Sequence, residues 1–491
     1  MDFVLLIDQF SRARDIRGWS RQRVLHECLR EAIRSGKLAA GTRLPASRAL
    51  ALELSVARNS VLYAYDQLAT EGFTRPDRRG TVVMSMCAVA IAPLAAPPLR
   101  AALSHRSGGV RVLTDPGGLT SGFAPGMPAL DEFPVTVWRR MLDRAWRNTR
   151  IDLLNYGDPS GEASLRAALA DYLRAARGVD CDPGQVFITS GTQASLDMCA
   201  HALADAGDTV WIENPGYAGA RAAMQAAQLE IIGIPTDAHG IHPAATDWQH
   251  HRPRLIYTTP SHQYPTGSVL SLERRLGLIA GARAAGALII EDDYDSEFRH
   301  DGPPLPAMQG LAPDAPVVYL GTFSKTMFPA LRIGFMVTPR ALAEPLRAWL
   351  TRSAHGGRSA EQLALAQFLR DGQFALHLRR MRRLYRQRRD ALVAALELHM
   401  GFAGSVHGGS AGMHLAFQFH EARLSDTALS AQALEKGIVA PALSAHATGA
   451  GANGWNGFML GYAQVPAPQI DALVRGLAML VHEAIAGLKK P

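Results

Sequence analysis

Apolar side chains at 24, 25, 28, 29 and 33 recur with the period of one helical face through "SRQRVLHECLREAIRS" (20–35), and Gly36 marks its end. The pattern predicts a helix. A connector, "GKLAAGTRLP", leads to "ASRALALEL" (46–54), a break at Ser55-Val56, and "ARNSVLYAYDQLATEG" (57–72), with apolar positions 61, 62, 65 and 68. Two further helices joined by a tight turn follow from that spacing. The stretch "FTRPDRRGTVVM" (73–84) reads as a strand, a basic turn and a second strand, the form of a wing. From 85 to about 115 Ala, Pro and Gly dominate without a sustained period, which predicts a linker. Beyond it, "QVFITS", "DTVWIE", "RLIYTT", "ALIIEDDY" and "PVVYLGTF" alternate with Ala- and Leu-rich helical stretches. Such alternation predicts an α/β fold with a mostly parallel central sheet. A long basic helix over 374–391 then leads into a smaller C-terminal α/β subdomain. The expected domains are therefore 1–84 and 116–491, flanking the 85–115 linker.

Composition changes this picture in three places. The chain has 491 residues, and about 100–200 residues per domain agrees with more than one core. Neither a signal sequence nor an apolar run of about 18 residues free of charges and turn formers is visible, so a cytoplasmic location without a membrane partner is expected. Cys28, Cys87, Cys181 and Cys199 form no CxxC pair and have no nearby His at metal spacing, so no disulfide frame and no metal site are expected. Charge is unevenly spread. Residues 1–84 carry fourteen Arg and Lys against nine Asp and Glu, which places +5 of the chain's +7 in its first sixth and points to a polyanionic partner.

In a helix-turn-helix the second helix enters the major groove with its N-terminal residues on base edges. Here those are Arg58, Asn59 and Ser60, with Tyr63 one turn on. Arg suits guanine and Asn adenine, while Arg43, Ser47 and Arg48 stand where phosphate oxygens would lie, and the wing adds Arg75, Arg78 and Arg79 beside Gly80. The stretch "GTRLPASRALALELSVARNSVLYAYDQLATEGFTRPDRRGTVV" resembles the winged helix-turn-helix of GntR-type bacterial regulators, and the resemblance implies binding to double-stranded promoter DNA.

Lysine is scarce: it stands only at 37, 325, 436, 489 and 490, among 51 Lys and Arg. An ε-amine can lose its proton and attack a carbonyl, and a guanidinium cannot. Lys325 in "GTFSKTMFPALRIGF" has Thr322 and Ser324 before it and Arg332 after it, a set suited to a phosphorylated aldehyde. In "ITSGTQASLD" the N–H groups of Gly191, Thr192 and Gln193 would open a helix and cradle a phosphate. Strand alternation in "ALIIEDDYDSEF" puts Asp292 and Tyr294 on one face, where a carboxylate can meet a pyridinium nitrogen and a phenol a ring oxygen; an acid run at a strand end also fits a metal site or a solvated loop. Tyr217 of "ENPGY" sits on a turn from which it could stack on a ring.

With "YGDPSGEASLRAALADYL" and "PSHQYPTG", these stretches resemble fold-type I aminotransferases over about 116–491. The resemblance implies pyridoxal 5′-phosphate as cofactor, Lys325 as its Schiff-base lysine, Asp292 as pyridine partner, Tyr294 on the 3-oxygen and Tyr217 stacked. Thr192, Gln193, Thr322, Ser324 and Arg332 would hold the phosphate, and Tyr156 would reach the cofactor of a second subunit in a homodimer. A winged helix fused to this domain is the arrangement of MocR-type regulators. One departure stands out: Met459 in "GFMLGYAQV" occupies the place of the Arg that holds the substrate α-carboxylate, and Tyr264 replaces an Asn on the 3-oxygen. Transamination of α-amino acids is therefore doubtful, and two signals remain open. One is pyridoxal phosphate itself; the other is an amine or amino acid held by another cation such as Arg221 or Arg299. Control of vitamin B6 or of amino acid or amine metabolism would follow, with an active aminotransferase as the alternative. The seven Arg of 377–389 accompany apolar residues at 378, 381 and 385, which predicts a solvated face on a packed helix.

Overall fold

A computed structural model describes residues 1–85, 122–302, 305–353, 356–448 and 454–488; Cys87 and all but the first residue of the expected linker lie outside the described residues. The chain forms two compact units, Met1–Ala102 and Leu103–Pro491. In the first, helices α1 (Phe3–Ala13), α2 (Arg21–Arg34), α3 (Ser47–Glu53) and α4 (Arg58–Thr70) precede strands β1 (Thr74–Asp77) and β2 (Gly80–Val83). Ser20 opens α2 by accepting a hydrogen bond from the Arg23 N–H at 3.3 Å. The turn between α3 and α4 passes through Ser55 at φ 52°. Leu29, Leu50, Val61 and Leu68 are buried at the centre of this unit. Each such side chain contributes about 1.5–3 kcal/mol.

α1 was not expected from its pattern. It forms because Phe3 joins that core and Asp2 caps the helix, accepting from Leu5 N–H at 3.0 Å. β1 and β2 pair antiparallel with Asp77 opposite Gly80, and the Asp77 carboxylate accepts from Arg79 N–H at 2.6 Å to tighten the wing tip. Gly80 takes φ 130°, a conformation that disfavours any side chain.

The second unit is built on β3 (Val186–Thr189), β4 (Thr209–Asn214), β5 (Glu230–Asp237), β6 (Gly240–Ile241), β7 (Leu255–Thr258), β8 (Leu288–Asp293), β9 (Val317–Thr322) and β10 (Gly334–Val337). They form one sheet in the order β3-β10-β9-β8-β7-β4-β5-β6. The run from β9 through β8, β7 and β4 to β5 is parallel, whereas β10 is antiparallel to both its neighbours and β6 to β5. The central strands are buried along their length, as sheets covered on both faces require. β5, β6 and β10 were not legible as strands. β10 is four residues long, and its two flanking pairings supply the order that its own pattern does not.

A smaller antiparallel sheet follows, β11 (Gly404–His407), β12 (His414–Phe419) and β13 (Gly457–Gly461), in that order. Helices Gln373–Met400 and Ala467–Leu488 pack with it in the main core. The first of these buries Leu378, Met381 and Tyr385 as its periodicity predicts, and runs on to Met400 because Leu392 and Leu396 continue the stripe. Among the described residues no helix is long and apolar enough to cross a membrane.

Candidate functional site

The carboxyl ends of parallel strands leave a crevice where loops and helix N-termini converge, and ligands bind there in open α/β sheets. In this sheet the crevice is a cavity of about 210 Å³. Ten of the residues singled out by sequence line it: Gly191, Thr192, Gln193, Tyr217, Asp292, Tyr294, Thr322, Ser324, Lys325 and Arg332. Segments up to 141 positions apart in the chain have been brought to one spot.

At one end lies an anion cradle. Gly191, at φ 103°, precedes the helix Thr192–Ala202, which has no side-chain cap, so its first N–H groups face outward. A Cβ on Gly191 would lie 3.7 Å from the Arg332 guanidinium, so backbone and cation face one gap. Arg332 itself has φ 50°, which turns the chain between β9 and β10. Gly334 lets the two loops meet: its Cβ would fall 2.8 Å from Gly191 Cα. Ser324 N–H donates to Thr322 Oγ1 at 3.2 Å and so ties the two hydroxyl residues together.

At the other end stands Asp292, where β8 stops. Its Oδ2 accepts from the Tyr257 hydroxyl at 2.8 Å, while Oδ1 is buried without a partner. Burial, then the negative Asp293, push this carboxyl up to about 7, against the pull of the Tyr257 bond and of Lys325. Asp293, on the opposite face of the strand, is neutralised separately. Arg177 Nε donates to it at 2.8 Å and Tyr319 Oη at 2.6 Å. Asp292 is thus left as the carboxylate in need of a cationic donor. Between the two ends is half-buried Lys325, its amine pKa lowered by desolvation against the pull of Asp295 and Asp292. A Cβ at Gly126 would lie 2.8 Å from its Nζ.

A pyridoxal phosphate fits these three features: an orphaned carboxylate oxygen for the ring nitrogen, an amine for the aldehyde, and a cradle for the phosphate. Bound there, it supplies an aldehyde that condenses reversibly with primary amines, releasing water.

Tyr217 immediately precedes the helix Ala218–Ala226 and packs edge-on against Tyr264, ring centroids 5.3 Å apart. Gln193 Nε2 is held by the Gly219 carbonyl at 3.1 Å. Tyr294 donates its hydroxyl to the His262 carbonyl at 2.9 Å. The loop that carries Tyr264 is organised by buried Glu213, which accepts from the Thr258 and Thr259 hydroxyls at 2.6 Å each. Desolvation raises the Glu213 pKa against those bonds.

Sequence reasoning missed Pro125, Gly126, Tyr257, Thr259 and His414, which also line the cavity. A signal existed for His414, a polar residue inside the apolar strand "MHLAFQF". Tyr156 does not line the cavity and is 78% exposed. Nor do Arg221, bonded to the Ala447 carbonyl, or Arg299, which lines a separate groove with Arg379, Arg382, Arg383 and Arg386. Met459 is buried on β13 with Ala416, Leu443 and Trp455, and Tyr264 packs against this cluster.

In the first unit, Arg48, Arg58, Asn59, Tyr63, Arg75, Arg78, Arg79 and Gly80 are exposed, while Ser47 and Ser60 are half-buried. α4 starts at Arg58 without a side-chain cap, so its first N–H groups are open to phosphate. Arg58 Nε donates to Ser47 Oγ at 3.4 Å, which links the two helix starts. Arg43 is exposed but partly engaged, donating to the Arg79 carbonyl at 3.2 Å.

Residues 21–83 match the family of bacterial regulatory proteins, gntR family, and residues 118–476 match aminotransferase class I and II. The chain is 41% identical to a probable rhizopine catabolism regulatory protein, MocR, of Rhizobium meliloti, over 85% of either chain. It is 34% identical to the pyridoxine biosynthesis transcriptional regulator PdxR of Corynebacterium glutamicum, over 74% of this chain and 76% of that one. Among solved structures, the α-aminoadipate aminotransferase LysN of Thermus thermophilus, complexed with N-(5′-phosphopyridoxyl)-L-leucine, superposes with TM-score 0.70 at 28% identity. It is covered over 98% of its length by 78% of this chain. With a GntR winged helix ahead of an aminotransferase fold built around a pyridoxal phosphate site, the protein belongs to the MocR-type branch of the GntR bacterial transcription regulators.

Proposed function

We propose that this regulator reads pyridoxal phosphate chemistry at Lys325 and reports it to promoter DNA. The observation that carries the reading is the cavity pairing a buried, partnerless Asp292 Oδ1 with a desolvated lysine amine. Both are costly to a folded chain unless a pyridinium and an aldehyde occupy the site. In this reading residues 1–84 are the DNA module, 85–115 the connector and 116–491 the effector domain. Arg58, Asn59, Ser60 and Tyr63 read bases. Arg43, Ser47, Arg48 and the wing residues Arg75, Arg78, Arg79 and Gly80 meet the backbone. Gly191, Thr192, Gln193, Thr322, Ser324 and Arg332 hold the phosphate, Asp292 the ring nitrogen, Tyr294 the 3-oxygen, and Tyr217 stacks. The chain works as a homodimer in which exposed Tyr156 serves the site of a second copy.

The domain senses and does not turn over α-amino acids, because buried Met459 stands in an apolar cluster where a carboxylate would need a guanidinium. The names of its relatives, one in pyridoxine biosynthesis and one in rhizopine catabolism, support control of vitamin B6 or amine metabolism. The test is binding of the purified protein to the duplex upstream of its own gene, with and without pyridoxal phosphate, against an unrelated duplex at one salt concentration. Preferential binding that the cofactor alters is expected. Equal, weak binding to both duplexes would move an active aminotransferase to first place.

A further inference from the structure

The groove that Arg299 shares with the helix Gln373–Met400 has a volume of about 510 Å³ and no lining residue in common with the cofactor cavity. Five guanidinium groups line it, those of Arg299, Arg379, Arg382, Arg383 and Arg386, together with the carboxylate of Asp390. Positions 379, 382, 383 and 386 fall three, four and seven apart, which sets them on one helical face over about 10 Å. Like charges at that spacing repel.

Two other arginines of this helix find carboxylates. Arg380 lies 3.7 Å from Glu132, and Arg389 lies 3.1 Å from Asp301 and 2.8 Å from Asp390. Asp390 is therefore already claimed. Among the described residues none of the five groove arginines forms an ion pair, so the chain leaves their mutual repulsion unanswered. Two of the five are nonetheless held in place: Arg382 Nε donates to the Glu297 carbonyl and Arg386 to the His300 carbonyl, both on the segment that follows β8. Those bonds use one edge of each guanidinium and neutralise no charge. Arg299, on the same segment, is half-buried with its Nε partnerless; like Arg379 and Arg383, it donates to no side-chain or backbone acceptor among the described residues. Cations thus converge on one concavity from two elements, two of them anchored by carbonyls and all of them short of anions.

Guanidinium forks match phosphate oxygens, and a chain of phosphates gathers several negative charges within the span of two helical turns. A carboxylate offers two oxygens and one charge. We propose that this groove binds a ligand with two or more linked phosphate groups, either free polyphosphate or the phosphate tail of a nucleotide, at a site separate from that of the cofactor. Arg379 and Arg383 grip the phosphates from the helix, and Arg299 grips them from the segment after β8.

The test is isothermal titration calorimetry on the full-length chain, loaded with pyridoxal phosphate, freed of unbound cofactor and held at one ionic strength without divalent cations. Inorganic triphosphate, ATP, AMP and citrate are compared. Triphosphate should bind at least about tenfold more tightly than AMP or citrate, the worth of one further charge-assisted bond. ATP at least as tight as triphosphate identifies a nucleotide as the source; weaker ATP identifies free polyphosphate. The wing is basic as well, so variants separate the two surfaces. Arg379→Ser combined with Arg383→Ser should weaken triphosphate about tenfold or more, and Arg299→Gln about tenfold. Arg78→Ala combined with Arg79→Ala should leave it unchanged. Arg379 and Arg383 are exposed, and an unaltered absorbance of the bound cofactor reports that their variants fold. No heat with millimolar triphosphate, binding no tighter than that of citrate, or binding lost with the wing pair and kept in the helix pair overturns the inference. A helix pair that lowers the salt slope on duplex DNA while triphosphate binding stays intact also overturns it, and assigns the groove to the DNA backbone.

Discussion

Asp292→Asn should move cofactor affinity and cofactor-free stability in opposite directions. In the folded chain without cofactor, burial lifts the Asp292 carboxyl from 3.8 to about 7. A raised carboxyl binds its proton more tightly folded than unfolded. The stability it contributes is therefore complete below pH ~4 and lost as pH rises through about 7. That climb corresponds to about 4 kcal/mol at pH 8. Asn cannot ionise, so the penalty disappears, but its amide N–H groups stay unpaired where Oδ1 is now buried, at a cost of about 2 kcal/mol. The net expectation is a cofactor-free protein about 2 kcal/mol more stable at pH 8, with a flatter pH profile between 4 and 8.

Cofactor binding should suffer at the same time. The substitution removes a charge-assisted bond to the pyridinium, worth about 1.5–3 kcal/mol, so affinity should fall about tenfold to 150-fold. Spectrophotometric titration with pyridoxal phosphate gives the affinity, and urea unfolding of the stripped protein at pH 5 and pH 8 gives the stability. Wild-type affinity in the variant, or an unaltered pH profile of stability, would refute the assignment of Asp292 to the ring nitrogen.

Arg58→Ala should cost about 1–3 kcal/mol on the cognate duplex and little on an unrelated one, whereas Arg78→Ala should weaken both and reduce the salt slope by about 1; fluorescence anisotropy over a salt series separates them, and equal losses on both duplexes from Arg58→Ala would remove it from base reading. Arg177→Met leaves buried Asp293 with only the Tyr319 hydroxyl among its present partners. Urea unfolding should show a loss of about 3–5 kcal/mol, with much of it recovered in the double variant with Asp293→Asn. Gly334→Ala puts a Cβ 2.8 Å from Gly191 Cα and 3.1 Å from the Gly321 carbonyl oxygen, so the cradle must shift. Its cofactor titration should weaken at least about tenfold, by the loss of preorganised phosphate contacts, and wild-type affinity would show that the cradle does not carry the phosphate.

Most of this architecture was legible in the chain because its signals are local. The periodicity of α2 and α4, the basic wing turn and the isolation of Lys325 among arginines each sit within one short segment. What escaped was cooperative. α1 is held by burying Phe3 in a core made by other helices, and β10 is ordered by pairing with β3 and β9, segments about 150 and 15 residues before it. Tyr257 was invisible as a site residue because an aromatic in a four-residue buried strand reads as core. Only the register of β7 against β8 brings its hydroxyl to Asp292.

By itself the sequence determined the chemistry available: a lone amine nucleophile, a glycine turn into a helix start, and paired acids at a strand end beside a basic helical module. Residue types and short spacings are enough for that. Only the tertiary structure decided which groups remain unsatisfied. Arg177 neutralises Asp293 from a helix more than a hundred residues away and so leaves Asp292 for the ring nitrogen. The strand carrying Met459 is backed by an apolar cluster, not by a cation. A pairing is a property of distance in space, and burial sets its cost, so neither is written in the order of the residues.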